Sequence, residues 1–397
     1  MTSGAPAGAG ERPVAYFDHA STTPMRPEVL AAMMPWLTSR YGNASGSHSM
    51  ARAARRAVDD AREVLAEALG GEPGEVVLTS GGTEADNLAV TGAVAAAVER
   101  GLEHRAIACS AVEHPAVLEP VRAAGGATLE VDQDGVIDLP ALEAWLAAHS
   151  DRVVEVSVML VNNETGVIEP VADVARAVKE LAPQAVLHTD AVQAFGWLDV
   201  ASLAAEADLV TVSAHKFGGP KGVGALLVRS SARGKLRPVL RGGPQERELR
   251  AGTHDVAGIV GMATAVRLAL AGREATTQRV ATLAEALMAG ITAGVEGAAG
   301  AVGSGRRVGA ICNVGFDGVE SEELLIVLDQ LGVCASAGSA CASGALEPSH
   351  VLIAMGRSPE QAKRHVRYSL GTTTTPGEVD QAVAATIEAV GRLRRES

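Results

Sequence analysis

The chain has 397 residues, which is long enough for two domains around a large core. Its 47% hydrophobic and 20% charged residues are typical of a globular protein. Its formal net charge of -13 argues against a nucleic-acid-binding face. No apolar run reaches the ~20 residues of a membrane span, and the first residues lack the basic-then-apolar pattern of a signal peptide. Residues 1–13, rich in Gly, Ala and Pro, are predicted to be a disordered tail.

Cysteine and lysine are both scarce, which limits the chemistry available. The four cysteines show neither CxxC spacing nor paired metal-site spacing, so we expect reduced thiols, no metal site and a cytoplasmic protein. Cys109 and Cys312 lie in apolar runs and are predicted to be core thiols. Any reaction that needs a primary amine must use one of five lysines, Lys179, Lys216, Lys221, Lys235 and Lys363.

Helical and extended patterns alternate along the chain as far as about residue 228. Apolar residues recur at helical spacing in PEVLAAMMPWLTSR and ARAARRAVDDAREVLAEALG. Short runs rich in Val, Ile and Leu follow, which predict strands buried on both faces: EVVLTS, AIACSA, VVEVSVMLV, AVLHTDA, DLVTVSA and GALLVR. Such alternation is typical of a mainly parallel sheet between two layers of helices, the α/β class.

The carboxyl-terminal part has a different pattern. Two long helices are predicted at about 256–271 and 274–295. The run GAICNVGF, a helix near 320–331, the run HVRYSLG and a final helix then predict a smaller α+β domain. We therefore expect a large domain at 26–267 and a small domain formed by 14–25 and 268–397.

Polar residues follow several predicted strands, at the edge where parallel sheets bind their ligands. After EVVLTS, Gly82 and Thr83 begin a helix whose free amides predict an anion site, unless Thr83 and Asp86 simply form a capping box. His114 follows the next strand and could be either a catalytic residue or a structural one. The segment NNETG follows a third strand and could be either a turn or the lining of a pocket.

The last two of these strand ends carry a carboxylate and an amine. Asp190 ends a buried strand, where its charge needs a partner, and Gln193 follows three residues later. Lys216 follows the next strand, whereas Lys221 stands among glycines and is interpreted as a loop or phosphate-edge residue. The segment is not a P-loop, since GxxxxGK[ST] is missing. Helix-end amides, a lysine and a buried carboxylate are together what pyridoxal phosphate requires.

Nine motifs in chain order resemble the NifS/IscS group of cysteine desulfurases, which are class V aminotransferase-like, fold-type I pyridoxal-phosphate enzymes. They are YFDHASTTP, TSGGTEADN, VEHPAVLEP, VNNETGV, TDAVQAFG, SAHKFGGPKGVGALLVR, GGPQERELRAGT, GSACASGALEPSHVLIAMG and VRYSLG. The resemblance runs from about Tyr16 to the carboxyl terminus. It implies a large domain with a mainly parallel seven-stranded sheet, pyridoxal 5'-phosphate as cofactor and a homodimer.

The resemblance also implies roles around the cofactor. Lys216 would form the Schiff base and later move the substrate Cα proton, His114 would stack on the ring as an acid/base, and Asp190 would pair with the ring nitrogen. Gln193 would hydrogen-bond the ring hydroxyl. The phosphate would be held by Gly82, Thr83, Ser213, His215 and, from the partner subunit, Thr253.

The remaining roles concern the substrate and its sulfur. Asn163 and Arg367 would bind the carboxylate of L-cysteine, the arginine by a bidentate fork. Cys341 stands in CASAGSACASGAL, which alone predicts a surface loop with an incidental cysteine. The resemblance implies that Cys341 takes the sulfur as a persulfide, releasing L-alanine, and that its tether of small residues lets it reach an acceptor. Cys334 is predicted to be structural.

The chain departs from the group at two places, of which the first should change little and the second bears on the acceptor. Ala342 replaces the usual Thr, and the chain ends at GRLRRES without the longer tail of members that dock an iron–sulfur scaffold. We expect sulfur delivery to a tRNA-thiolating enzyme, a thiol carrier or an iron–sulfur scaffold, where Cys341 could be a transient cluster ligand. No direct contact with nucleic acid or membrane is expected. The alternatives are a selenocysteine lyase, an aminotransferase, or a non-catalytic sulfur carrier that keeps the fold.

Overall fold

The computed structural model describes residues 14–303, 305–338 and 347–396. The predicted disordered tail at 1–13 and Cys341 lie outside these ranges. The strands are β1 (Ala15–Tyr16), β2 (Val76–Thr79), β3 (Ala106–Ser110), β4 (Ala127–Leu129), β5 (Val153–Ser157), β6 (Val186–Asp190), β7 (Leu209–Ser213), β8 (Gly224–Val228), β9 (Ala298–Gly300), β10 (Ile311–Phe316), β11 (Val333–Cys334) and β12 (His365–Ser369). The helices are α1 (Pro27–Thr38), α2 (Ser49–Leu69), α3 (Gly82–Glu99), α4 (Pro115–Ala123), α5 (Leu139–His149), α6 (Val171–Leu181), α7 (Val200–Leu203), α8 (Val256–Gly294), α9 (Ser321–Gln330), α10 (His350–Ala354), α11 (Pro359–Ala362) and α12 (Pro376–Glu396).

A seven-stranded sheet lies at the centre of the large part of the molecule, in the order β2-β8-β7-β6-β5-β3-β4. Every neighbouring pair is parallel except the two that involve β8, which runs antiparallel to β7 and β2. The predicted α/β class with a mainly parallel sheet is confirmed. All six runs identified in the sequence are strands; the seventh, β4, is a short edge strand whose single buried residue, Leu129, gave no pattern.

Helices cover both faces of this sheet. Helices α2, α5, α6 and the first half of α8 pack on one face, and α3 and α4 pack on the other. Every residue of β6 and of β7 is buried, as expected for strands sandwiched by helices. Because side chains alternate along a strand, Leu187 of β6 faces the first layer, whereas His188 and Asp190 point toward α3.

Helix α8 corrects the prediction of two helices at 256–271 and 274–295, because it is one continuous helix of 39 residues. The predicted break falls at Gly272, and a glycine without a proline costs a helix only about 1 kcal/mol. Arg273 then donates to the carbonyl oxygen of Leu198 at 2.8 Å, which ties this point to the large part. By length and composition alone α8 could cross a membrane, but half of its most apolar window is buried inside the protein.

A smaller antiparallel sheet, β12-β10-β9, packs with α9, α12 and the second half of α8. The predicted helix near 320–331 is confirmed as α9. Strand β1 pairs in parallel with β11, Ala15 opposite Val333, so the first described residues join the carboxyl-terminal part. The division into domains at 267/268 stays a prediction, and α8 runs through it.

Candidate active site

The carboxyl ends of two neighbouring strands bring together a carboxylate and an amine. Asp190 ends β6, Ser213 ends β7, and a single 3-10 turn, Ala214–Lys216, follows β7 directly. The Asp190 carboxylate is buried and accepts a hydrogen bond from the Val192 N–H at 2.8 Å. Burial raises the pKa of Asp190 to about 6, while the Val192 N–H and the charge of Lys216 act in the opposite direction.

The Lys216 side chain is half-buried and held by backbone oxygens. Its Nζ donates to the carbonyl oxygens of Ala20 and Ser21, the latter at 2.9 Å. Burial and the nearby charge of Arg367 lower the pKa of Lys216 to about 8, although the carboxylates of Asp190 and Asp18 favour its charged form. A substantial fraction of this amine is therefore neutral near physiological pH, which a nucleophilic lysine requires.

The first turn of α3 offers free backbone amides at the same sheet edge. The helix begins at Gly82, and the preceding Gly81 has φ of 152°, a conformation that favours glycine. No side chain caps the helix start, so its first N–H groups remain available for a ligand. A Cβ built on Gly81 would lie 4.0 Å from Ser213 Oγ, which places that hydroxyl beside the turn.

The alternative capping box of Thr83 with Asp86 is wrong. Since the helix starts at Gly82, Thr83 is already inside the first turn and is exposed. Asp86 lies one turn further on and faces the sheet, fully buried, with its Oδ1 3.6 Å from Nε2 of His188. Burial and the neighbouring charge of Asp190 raise the pKa of Asp86 well above its usual value.

Two histidines flank this edge, and both are neutral rings. His114 caps α4, where its Nδ1 accepts from the Ala116 N–H at 3.1 Å, so the neutral ring carries its proton on Nε2. His215 Nδ1 lies 3.2 Å from Thr22 Oγ1. Burial, followed by the charge of Lys216, lowers the pKa of each histidine to about 4.

Arg367 reaches the site from β12 of the smaller sheet. Its side chain is 3% exposed. Nη1 donates to the carbonyl oxygen of Asn163 at 2.9 Å, and Nη2 donates to Asp18 Oδ1 and to Ser21 Oγ, both at 2.8 Å. No acceptor among the described residues lies within hydrogen-bond distance of its Nε. The two predicted carboxylate-binding residues are thus neighbours, with Asn163 contributing its backbone.

Sequence reasoning missed the segment 18–23, DHASTT. It supplies the backbone acceptors for Lys216, the hydroxyl partner of His215 and the carboxylate partner of Arg367. The Tyr16 hydroxyl closes its turn by donating to the carbonyl oxygens of Asp18, at 3.1 Å, and Thr22, at 2.9 Å. The motif YFDHASTTP was noticed only as part of the resemblance; its cluster of short polar residues before a predicted helix was the available signal.

Comparison with known proteins identifies the family to which the chain belongs. A sequence model described as aminotransferase class-V matches residues 15–382. An IscS-like cysteine desulfurase of Mycobacterium tuberculosis is 41% identical, over 96% of this chain and 98% of its own. The chain belongs to this family of cysteine desulfurases. Like the rest of the family, it is an enzyme that depends on pyridoxal phosphate.

Solved structures agree with this assignment. A NifS-like protein has a TM-score of 0.87 to this chain at 32% identity, with 96% of this chain and 100% of the other covered. A second structure, described as SspA in complex with cysteine, has a TM-score of 0.78 at 32% identity, covering 91% of this chain and 100% of the other. The predicted fold-type I architecture is therefore confirmed.

The side chains at the sheet edge fit the cofactor of this family. Gln193 Oε1 is buried and has no hydrogen-bond donor in the described part of the chain, as expected of an acceptor that would bind a ligand hydroxyl. A lysine with a lowered pKa, a buried carboxylate and a free helix start are the kinds of group that pyridoxal phosphate needs for its aldehyde, its ring nitrogen and its phosphate. Thr253, the predicted phosphate contact from a partner subunit, is exposed.

Proposed function

We propose that this chain converts L-cysteine to L-alanine at the edge formed by Asp190, Lys216 and Arg367, and that it transfers the sulfur to Cys341. The observation that carries the proposal is the position of the Lys216 amine, whose pKa is lowered to about 8, near both the buried Asp190 carboxylate and the buried Arg367 guanidinium. The structural relative in complex with cysteine supports the choice of substrate.

The cofactor would be held by the large sheet. Asp190 would contact the ring nitrogen, Gln193 the ring hydroxyl, and His114 one face of the ring. The phosphate would bind at the first turn of α3 and at the end of β7, through Gly82, Thr83, Ser213 and His215. When bound, the cofactor supplies an electron sink that makes the substrate Cα proton removable.

The substrate would be held by its carboxylate. Arg367 and Asn163 would bind that group and so orient the Cα–H bond toward Lys216. An amine whose pKa is about 8 is well matched to take a proton near neutral pH. His114, a neutral ring with its proton on Nε2, offers a second proton donor at the same sheet edge.

The sulfur acceptor on the enzyme is inferred from the cysteines. Burial raises the pKa of Cys109 and, to about 12, that of Cys312. Burial and the charges of Asp329 and Asp18 raise the pKa of Cys334. None of these described thiols is activated as a nucleophile, which favours Cys341, outside the described residues. In the net reaction the Cβ–Sγ bond of cysteine breaks, its sulfur joins the Cys341 sulfur as a persulfide, and Cβ gains a proton to give alanine.

Two cysteine variants test the sulfur transfer. Cys341→Ser should bind cysteine and change the cofactor absorbance, but release almost no alanine and give no persulfide by mass spectrometry. Cys334→Ser, the matched control, should retain most of the activity. Alanine release by Cys341→Ser together with an inactive Cys334→Ser would exclude this assignment.

A homodimer would complete the site. Thr253 is exposed on a loop that Arg250 ties to the first turn of α3, through an ion pair with Glu84 of 2.8 Å. A twofold interface here would place this loop against the copy's own helix start, so the partner's Thr253 would reach the phosphate. Light scattering and loss of cofactor affinity in Thr253→Ala would test this arrangement.

The final acceptor would be a protein thiol in the cytoplasm, where a persulfide can pass its sulfur by thiol exchange. We place a tRNA-thiolating enzyme or a thiol carrier first and cluster assembly second, although the IscS-like name of a relative keeps the latter open to test. Radiosulfur transfer to each acceptor class would decide. A stoichiometric complex with an iron–sulfur scaffold and no transfer to a tRNA-modifying enzyme would contradict the order.

A further inference from the structure

The guanidinium proposed to bind the substrate carboxylate already has an acidic partner of its own chain. Asp18 lies two residues after β1, and its carboxylate forms an ion pair with Arg367 at 2.8 Å. Ser21 Oγ donates to the same Asp18 oxygen at 2.8 Å and accepts from Arg367 Nη2 at 2.8 Å, so the three side chains form a closed triangle. Asp18 is also close enough to favour the charged form of Lys216.

The positions used on the guanidinium decide what a substrate can do. An arginine binds a carboxylate most strongly with two parallel N–H bonds, through either the Nε/Nη2 or the Nη1/Nη2 fork. Both forks include Nη2, which already donates to Asp18 Oδ1 and to Ser21 Oγ. A bidentate substrate carboxylate must therefore displace one of these two partners.

We propose that Asp18 is a positioning residue that competes with the substrate carboxylate for Arg367 and thereby sets the affinity for substrate and product. This inference rests on the proposed role of Arg367. A guanidinium that is 3% exposed needs a negative partner when the site is empty, and Asp18 supplies it. Because the Asp18 side chain is 23% exposed, its carboxylate can turn toward water when the substrate takes its place.

The exchange has a consequence for turnover. Substrate and product carry the same carboxylate, so an Arg367 without an internal competitor would hold both tightly. Competition by Asp18 lowers the affinity for each and speeds the release of alanine. Removing its charge is thus expected to tighten binding, an effect opposite to that of ordinary structural damage.

The test measures L-alanine binding to the holoenzyme by calorimetry. Asp18→Asn keeps an oxygen for Ser21 and Arg367 but removes the charge. We expect about tenfold tighter alanine binding, since a charged hydrogen bond is replaced by a neutral one. In Asp18→Asn, KM for cysteine should fall together with the dissociation constant for alanine, while kcat does not rise. Ser21→Ala, which frees the same nitrogen without a change of charge, should shift binding by only about twofold. Asp173→Asn, on the surface of α6, controls for net charge.

Arg367→Gln separates this inference from the proposed function. It should weaken alanine binding at least about a hundredfold if Arg367 holds the carboxylate. If Arg367→Gln abolishes binding and Asp18→Asn leaves it unchanged or weaker, the competition is overturned and the carboxylate site stands. If Arg367→Gln binds alanine normally, the site itself is wrong. If Asp18→Asn does not fold, Asp18→Ser takes its place and must bind alanine more tightly than the wild type does; otherwise the inference is wrong.

Discussion

The two halves of the active site are built in different ways. The half proposed to hold the cofactor comes from consecutive strand ends of one sheet: Asp190 and Ser213 end neighbouring strands, and Lys216 follows within one turn. The half proposed to bind the substrate carboxylate joins Asp18, the carbonyl of Asn163 and Arg367, from three separate segments of the chain.

This difference explains how each half acts. The cofactor half lies on buried strands, so its groups are fixed and their pKa values are shifted mainly by burial. The carboxylate half is held by ion pairs and hydrogen bonds that a ligand can replace. We therefore expect changes in the first half to lower kcat, and changes in the second to alter KM and the affinity for alanine.

The largest expected effect is in the cofactor half. Lys216→Ala should lower kcat at least about a thousandfold, because it removes both the nucleophile and the base. Lys221→Ala, which removes an exposed lysine on the same loop, should stay within about twofold. Borohydride fixation of the cofactor followed by peptide mapping gives an independent measurement. A label on Lys221 would show that the assignment of the reactive amine to Lys216 is wrong.

The second prediction compares two buried acids, Asp86 of α3 and Asp190 at the end of β6. Asp190→Asn should lower kcat about a hundredfold, because the cofactor nitrogen loses its charged partner. Asp86→Asn should stay within about threefold, since burial and the charge of Asp190 raise the pKa of Asp86 well above its usual value and so favour its neutral form. Steady-state kinetics and cofactor absorbance against pH measure both. Equal losses in the two variants would mean that the acids act as one unit.

The third prediction concerns the loop that carries Thr253. Here we expect the smallest effect on catalysis, and the quantity to measure is the free energy of unfolding. There Glu246 is buried and accepts a bidentate pair of bonds from Arg62, both at 2.8 Å, and lies 2.6 Å from the His254 ring. Burial alone would raise the pKa of Glu246, but these partners lower it from 4.5 to about 2. Glu246→Gln should therefore cost about 3 kcal/mol of unfolding free energy at pH 7.

The pH dependence has a definite sign. Because the folded pKa of Glu246 is below its unfolded value, its contribution is complete above about pH 4.5 and is lost as the pH falls through about 2. Denaturation at pH 7 and pH 3 should show the difference between wild type and Glu246→Gln shrinking. Glu99→Gln, which breaks the half-exposed pair with Arg237, should cost under about 1 kcal/mol. A difference that grows toward pH 3 would contradict the ion pair.

The sequence by itself determined the sheet and the cofactor half. Buried parallel strands are continuous apolar runs, and their carboxyl ends meet at one edge, so residues just after each run could be placed together without coordinates. The tertiary structure alone decided that α8 is continuous, that Asp86 faces the sheet, and that the turn after β1 lies between Lys216 and Arg367. The contacts of Ser21 with Lys216 and of Asp18 with Arg367 join residues 195 and 349 positions apart. No local pattern encodes such pairs, because they arise from the packing of the small antiparallel sheet against the large one.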